Sequence, residues 1–314
     1  MSVSAASLVA GRDYPRTLAE FSSWFPDEAA CLLYLSQVRW PEGFRCRRCG
    51  GTHAWWLTRG LWRCASCRLE SSVTAGTVLA DTRLPLTTWL AATWYVTNQK
   101  SGVSALSLQR ALGLARYETA WTLLHKLRRA MVRPSRERLR GTVEVDEAYW
   151  GGEEEAVRGR QTHDKALIAV AAEADGTKIG RIRLRPIPDC TRKTLHGFII
   201  EAIEPASTVQ TDGWPAYREL QGYVHQPSIQ NQRSPDEPPL LPRVHRVISL
   251  LKHWLMGTHQ GAVGSDCLQD YLNEFTFRFN RRTSTSRGKL FYRLAQQAVQ
   301  TAPTTYDNLA NHNL

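Results

Sequence analysis

The chain of 314 residues is 42% hydrophobic and 22% charged, enough apolar material for two or three domains of ordinary size. It holds no run of about eighteen apolar residues, which argues against a membrane-spanning helix. MSVSAASLVAGRDYPR has no basic stretch ahead of an apolar one, so no secretory signal is read and a cytoplasmic protein away from any membrane is expected.

The net charge of +11 points to a polyanion partner, because Lys and Arg facing phosphates release condensed counterions. Evenly spread solubility charge is the rival reading, but the charge is clustered. Seven Lys/Arg residues and one acid, Glu137, lie between Lys126 and Arg140, and six Lys/Arg residues with no acid lie between Phe275 and Tyr306.

In chain order, residues 18–37 carry a helical apolar pattern through Leu18, Phe21, Trp24, Phe25, Leu32, Leu33 and Leu35. Strand-like aromatics then sit between two cysteine pairs. Pro85 opens a predicted helix through Leu86, Trp89, Leu90, Trp94 and Tyr95. SALSLQRALGLARYETAWTLLHKLRRAM predicts two short helices broken at Gly113, the second over residues 117–131. Beyond Arg140, GTVEVDEAYW, KALIAVAAE and GRIRLRPIP predict three successive strands. A helix over 191–203, a short strand STVQTD, a loop over 228–242 and helices over 244–256 and 268–280 follow. That order points to a mixed α/β domain.

Seven cysteines in a cytoplasmic chain do not suggest a disulfide framework. Cys46-x-x-Cys49 and Cys64-x-x-Cys67 instead have the spacing of two thiolate clamps on one tetrahedral Zn²⁺. Four thiolates close the coordination sphere, so this zinc is structural. Gly50 and Gly51 supply the permissive backbone a knuckle needs. Arg45, Arg47, Arg48, Arg63 and Arg68 crowd the same knuckles and could face phosphate. His53 reads as an ordinary surface histidine. Cys31, Cys190 and Cys267 read as small buried hydrophobes.

The helix pair around Gly113 fits a helix-turn-helix DNA reader, with Arg116, Tyr117 and Thr119 at the start of its second helix. A plain helical hairpin would show the same apolar spacing, and Trp121, Leu123, Leu124 and Leu127 read as core either way. Arg116, Arg128 and Arg129 are the expected DNA contacts of this region.

Asp146 closes the apolar run VEVD, with Glu144 and Glu147 beside it, and Asp212 closes VQTD before Gly213. Each alone could be a turn former. As a pair at matching ends of strands in a basic protein, they could hold Mg²⁺ or Mn²⁺ for phosphoryl transfer. In VHRVISLLKHWL, His245 and Lys252 are seven residues apart and share a helix face. His245 is a candidate third ligand and Lys252 a candidate phosphate contact.

These blocks, together with GTVEVDEAYWGG, QTDGWPAY, HRVISLLKHWLMGTHQGAV and YLNEFTFRFNRRTSTSRGKLFYRL, run in order from about residue 20 to residue 298. They resemble the zinc-ribbon insertion-sequence transposases of the ISXO type, a branch of the DDE transposases with a ribonuclease-H-like catalytic domain. The resemblance implies that Asp146 and Asp212 are metal ligands. The superfamily's glutamate stands seven residues before the helix Lys, and this chain has His245 there. Glu274 is the candidate substitute, with pairing to a nearby arginine as its rival role. The resemblance also implies that Arg278, Arg281, Arg282, Arg287 and Lys289 hold DNA near the active centre.

The expected organisation is an N-terminal helical segment (1–40), a zinc ribbon (41–80), a helical DNA-binding region (81–135), a ribonuclease-H-like catalytic domain (136–300) and a flexible tail (301–314). The expected function is metal-dependent 3′-end cleavage and strand transfer by a homo-oligomer on double-stranded DNA, both element ends and target. The rival expectations are a catalytically decayed zinc-ribbon DNA-binding protein and a nuclease without joining activity.

Overall fold

Two units make up the chain in the computed structural model, which describes residues 8–133, 136–151, 165–228 and 240–310. One comprises residues 1–133 with 284–314, the other residues 134–283. Among the described residues, no helix is long and apolar enough to cross a membrane.

The first unit opens with α1 (Leu18–Trp24) and α2 (Glu28–Arg39), capped by Thr17 and Asp27. The single helical pattern over 18–37 is thus two helices. Pro26 disfavours helical geometry at Phe25, and the Asp27 side chain accepts from the Ala30 amide at 2.9 Å to start the second helix. The strands β1 (Ala54–Leu57), β2 (Leu61–Cys64) and β3 (Glu70–Ser71) form an antiparallel sheet in sequence order. Trp40, Phe44, Trp56 and Trp62 pack ring to ring beside it.

Next come α3 (Leu86–Asn98), α4 (Ala105–Leu112) and α5 (Tyr117–Ala130). The break between α4 and α5 falls where expected: Gly113 ends α4 in the left-handed conformation, φ 62°. No helix is predicted over 287–298, yet α9 (Arg287–Ala298) belongs to this unit. Its Phe291 is fully buried against Phe21, Phe25, Tyr34 and Trp94. The unit boundary therefore lies near residue 284 rather than 300. The expected flexible tail includes α10 (Tyr306–Ala310), whose Leu309 is buried.

The second unit is built on a five-stranded sheet of β4 (Thr142–Trp150), β5 (Ala166–Asp175), β6 (Lys178–Ile187), β7 (Thr208–Asp212) and β8 (Val224–Ser228). Its spatial order is β6-β5-β4-β7-β8. β5 is antiparallel to both neighbours, while β4, β7 and β8 are mutually parallel. An antiparallel meander continued by parallel strands is the ribonuclease-H-like arrangement. Strand alternation splits the core. Val143, Val145 and Val209 face the layer of α6 (Arg192–Ala202). Ile168, Val170 and Ala148 face α7 (Pro242–His259) and α8 (Leu268–Phe279). β8 is a strand that the sequence pattern does not predict. Of the loop expected over 228–242, residues 229–239 lie outside the described residues.

Candidate metal centres and nucleic-acid interface

The four cysteines converge. Cys46 and Cys67 sulfurs stand 3.5 Å apart, Cys49 and Cys64 sulfurs 3.6 Å, and all four lie within 4.8 Å of one another. A tetrahedral zinc with bonds of about 2.3 Å needs sulfurs spaced at about 3.8 Å, so the donor set fits. The two knuckles share one backbone design. Gly50 donates to the Cys46 carbonyl and Arg68 to the Cys64 carbonyl, and both residues have positive φ. A backbone hydrogen bond from Cys49 holds the Cys46 thiol down at about 6, and one from Cys67 likewise lowers Cys64. Against a backbone hydrogen bond from Gly51, those to the neighbouring sulfurs push Cys49 up to about 12. The nearby arginines are partly committed. Arg59 and Arg63 pair with Glu70, and Arg68 lies over the exposed Trp55 ring.

Asp146, Asp212 and His245 come to one side of the second unit's sheet. Glu144 pairs with Gln210, so Asp146 and Asp212, each two residues further along parallel strands, keep matching orientation toward the α7 side. His245 lies in the first turn of α7, and its Nε2 is 3.1 Å from Asp146 Oδ2. Asp146 Oδ1 accepts from the Glu147 amide, and Asp212 Oδ1 accepts from the Trp214 amide at 3.1 Å, a turn-forming bond. Asp146 is in mid-strand rather than at a strand end, because β4 continues to Trp150 along β5. Among the described residues, only the four cysteines bring three or more ligand atoms within 4.8 Å. The Asp146–His245 pair is in hydrogen-bond contact, and Asp212 shares its sheet face by strand register. Lys252 is exposed, two turns along α7 from His245.

Two residues of this region escape sequence reasoning. Glu144 is 1% exposed and accepts from the Arg243 and Val244 amides at 2.7 and 2.9 Å, and from the Arg243 guanidinium at 2.9 Å. Pro242 has no amide to give, so Glu144 satisfies the first donors of α7 and fixes the helix that carries His245. Its position two residues before Asp146 puts it on the same strand face, the signal that was available. The second is Tyr217, in a 3-10 turn (Pro215–Tyr217), whose hydroxyl donates to Glu147 Oε1 at 2.5 Å. It sits within the QTDGWPAY block, but burial alone reveals its contact.

The expected DNA contacts separate into groups. Arg116 is exposed at the start of α5 and Lys289 in the first turn of α9; Arg287 is half-buried. Arg128 must be corrected: at 1% exposed, 3.1 Å from His125 Nε2, it is an interior residue that reaches no phosphate. Arg129 spends one donor on Thr304 at 2.8 Å. Arg278 is held at 2.8 Å by Glu274, which is fully buried, so Glu274 takes its arginine-pairing role. Arg281 and Arg282 lie 4.0 and 4.1 Å from the Phe277 and Phe279 ring centroids. Arg282 also donates to the Gly180 and Ile179 carbonyls, tying α8 to β6.

The chain combines a four-thiolate ribbon with a ribonuclease-H-like sheet that carries aspartates on the central strand β4 and its parallel neighbour β7. Two family matches identify these parts as those of a transposase. Residues 138–280 match the ISXO2-like transposase domain, and residues 26–70 match the transposase zinc-ribbon domain. The chain thus carries an ISXO2-like transposase domain in its second unit and a transposase zinc ribbon near its start. Among solved structures, the catalytic core domain of BIV integrase is similar at 17% identity and a TM-score of 0.32, covering 47% of this chain and 88% of that one. A search of curated proteins returns no match.

Proposed function

We propose that this chain binds the inverted-repeat ends of its own insertion sequence, cleaves their 3′ strands and joins them to target DNA in the cytoplasm, acting as a homo-oligomer. The observation that carries this reading is the Asp146–His245 pair at 3.1 Å, on the sheet face that Asp212 shares. Two carboxylates and an imidazole suit a divalent ion, and Mn²⁺ better than Mg²⁺, because imidazole is a softer donor than the carboxylate of the usual triad. Such an ion, when bound, supplies Lewis-acid activation of a water or 3′-hydroxyl and of the leaving oxygen. Asp146 and Asp212 would hold that ion through their carboxylate oxygens, with their charge offset by it toward the reacting phosphate. His245, 3.1 Å from Asp146, would be the third donor, and the exposed Lys252 would meet the DNA backbone. The zinc ribbon and the start of α5, with Arg116, supply end recognition.

The test is cleavage and joining of an element-end oligonucleotide in Mn²⁺ and in Mg²⁺. Faster cleavage in Mn²⁺ is expected, and Asp146→Asn or Asp212→Asn should abolish it with end binding retained. Equal turnover by Asp146→Asn would sink the assignment. The hydrogen-bonded Asp146–His245 pair also favours a second reading, a decayed transposase that binds ends only; binding without cleavage in either metal would select it. Cleavage without a joined product would mark a nuclease.

A further inference from the structure

The two aspartates stand where the strands that carry them are no longer laced together. Parallel pairing of β4 with β7 ends at Glu144↔Gln210, two residues short of Asp146 and Asp212. Outward of each, pairing continues: Asp146 opposite Val170 on β5, and Asp212 opposite Ser228 on β8. Each aspartate is thus fixed on its outer side, while the ladder between the two does not reach them. A side-chain bond crosses that gap.

Tyr217 is fully buried, and its ring lies 6.5 Å from that of His225, itself bonded to Thr211 at 2.9 Å. Its backbone amide donates to the Trp214 carbonyl, and the Trp214 amide donates to Asp212, so the turn is tied to the end of β7. Its hydroxyl donates to Glu147 beside Asp146, at 2.5 Å. Burial first, then Glu147, Asp146 and Asp212, push the phenol well above the ordinary tyrosine range, so the oxygen keeps its proton and stays a donor.

We propose that Tyr217 is a positioning residue: through Glu147 it sets the separation of Asp146 and Asp212, and with it the affinity of that site for a divalent cation. This rests on the two-aspartate reading above. Partners of this kind behind metal ligands change affinity by about 10- to 100-fold when removed.

The test uses the full-length, zinc-loaded protein without DNA, titrated with Mn²⁺ while the free ion is followed by electron paramagnetic resonance. Tyr217→Phe keeps the buried ring and removes only the hydroxyl. It should weaken Mn²⁺ binding by about tenfold or more while the thermal unfolding midpoint stays near that of the unsubstituted protein. The Mn²⁺ midpoint of cleavage should move by the same factor, with the rate recovered at saturating Mn²⁺. Glu147→Gln keeps an acceptor for the phenol and should bind Mn²⁺ nearly as well as the parent, whereas Glu147→Ala should reproduce the Tyr217→Phe shift. A parental isotherm for either a folded Tyr217→Phe or a folded Glu147→Ala overturns the proposal. Should Asp146→Asn bind Mn²⁺ as well as the parent, the two-aspartate reading has failed and takes this one with it. If Asp146→Asn loses the ion while Tyr217→Phe does not, the Tyr217 assignment alone has failed.

Discussion

At the residue scale, buried carboxylates do more than candidate chemistry. Glu144 is 1% exposed and receives two amides and a guanidinium from the start of α7. Glu144→Ala would strand those donors, and breaking such a buried charged pair costs about 3 kcal/mol. A drop of that size in urea denaturation of the second unit is expected, and no drop would show that α7 is held otherwise. Glu173 shows the matching pH effect. Desolvation would raise its pKa, but hydrogen bonds from Arg181 and from the Arg140 and Arg181 amides outweigh it and leave the carboxyl below its usual range. A folded value below the unfolded one contributes stability above the unfolded pKa of about 4.3. That stability is lost as pH falls through the folded value. Glu173→Gln should therefore flatten the acid limb of the stability profile below about pH 4.5, and an unchanged limb would exclude the effect.

At the element scale, α9 is the piece least legible in the sequence and the most constrained in space. A Cβ on Gly288, in its first turn, would lie 1.9 Å from the Pro15 carbonyl oxygen and 2.7 Å from the Tyr14 ring. Backbone cannot yield as a side-chain tip does, so Gly288→Ala should cost about 2 kcal/mol or more, seen as a lower midpoint for the helical unit. Tolerance of alanine there would mean that the helix and the Pro15 segment separate readily. By contrast α4 and α5 are legible, because Gly113 needs the left-handed conformation and Ser104 caps α4 by accepting from the Ser107 amide at 3.1 Å. Both capping signals are local.

At the scale of the molecule, the chain returns to its beginning: residues 284–314 fold with residues 1–133, although the transposase domain match ends at residue 280. The ring of Phe291 sits 5.6 Å from Phe21 and 5.6 Å from Trp94. A chain ending at Thr283 should uncover that aromatic cluster. Amide exchange should then accelerate in α1, α2 and α3 while β4 and β5 keep their protection. Equal protection in both units would mean that α9 is dispensable to the first. The basic run from Phe275 to Tyr306, one block in the sequence, is divided by the same boundary. Arg278, Arg281 and Arg282 fall in one unit, Arg287 and Lys289 in the other.

By itself the sequence determined whatever depends on short spacing. It placed the zinc clamp of Cys46, Cys49, Cys64 and Cys67, the three strands of the meander, the break at Gly113, and Asp146, Asp212 and His245 as one candidate group. The clamp, the strands and the break follow from local geometry, a fixed ligand spacing or a period of two or 3.6 residues. The grouping of Asp146, Asp212 and His245 follows instead from matching strand ends and the family resemblance. The tertiary structure alone decided which charges are spent inside the fold. Arg128 and Arg278 read as DNA contacts until burial and Glu274 claim them, and Glu144 and Tyr217 read as bystanders until α7 and Glu147 meet them. A guanidinium or a phenol has the same appearance in a sequence whether it faces phosphate or protein. Only the partners brought from distant parts of the chain fix its role.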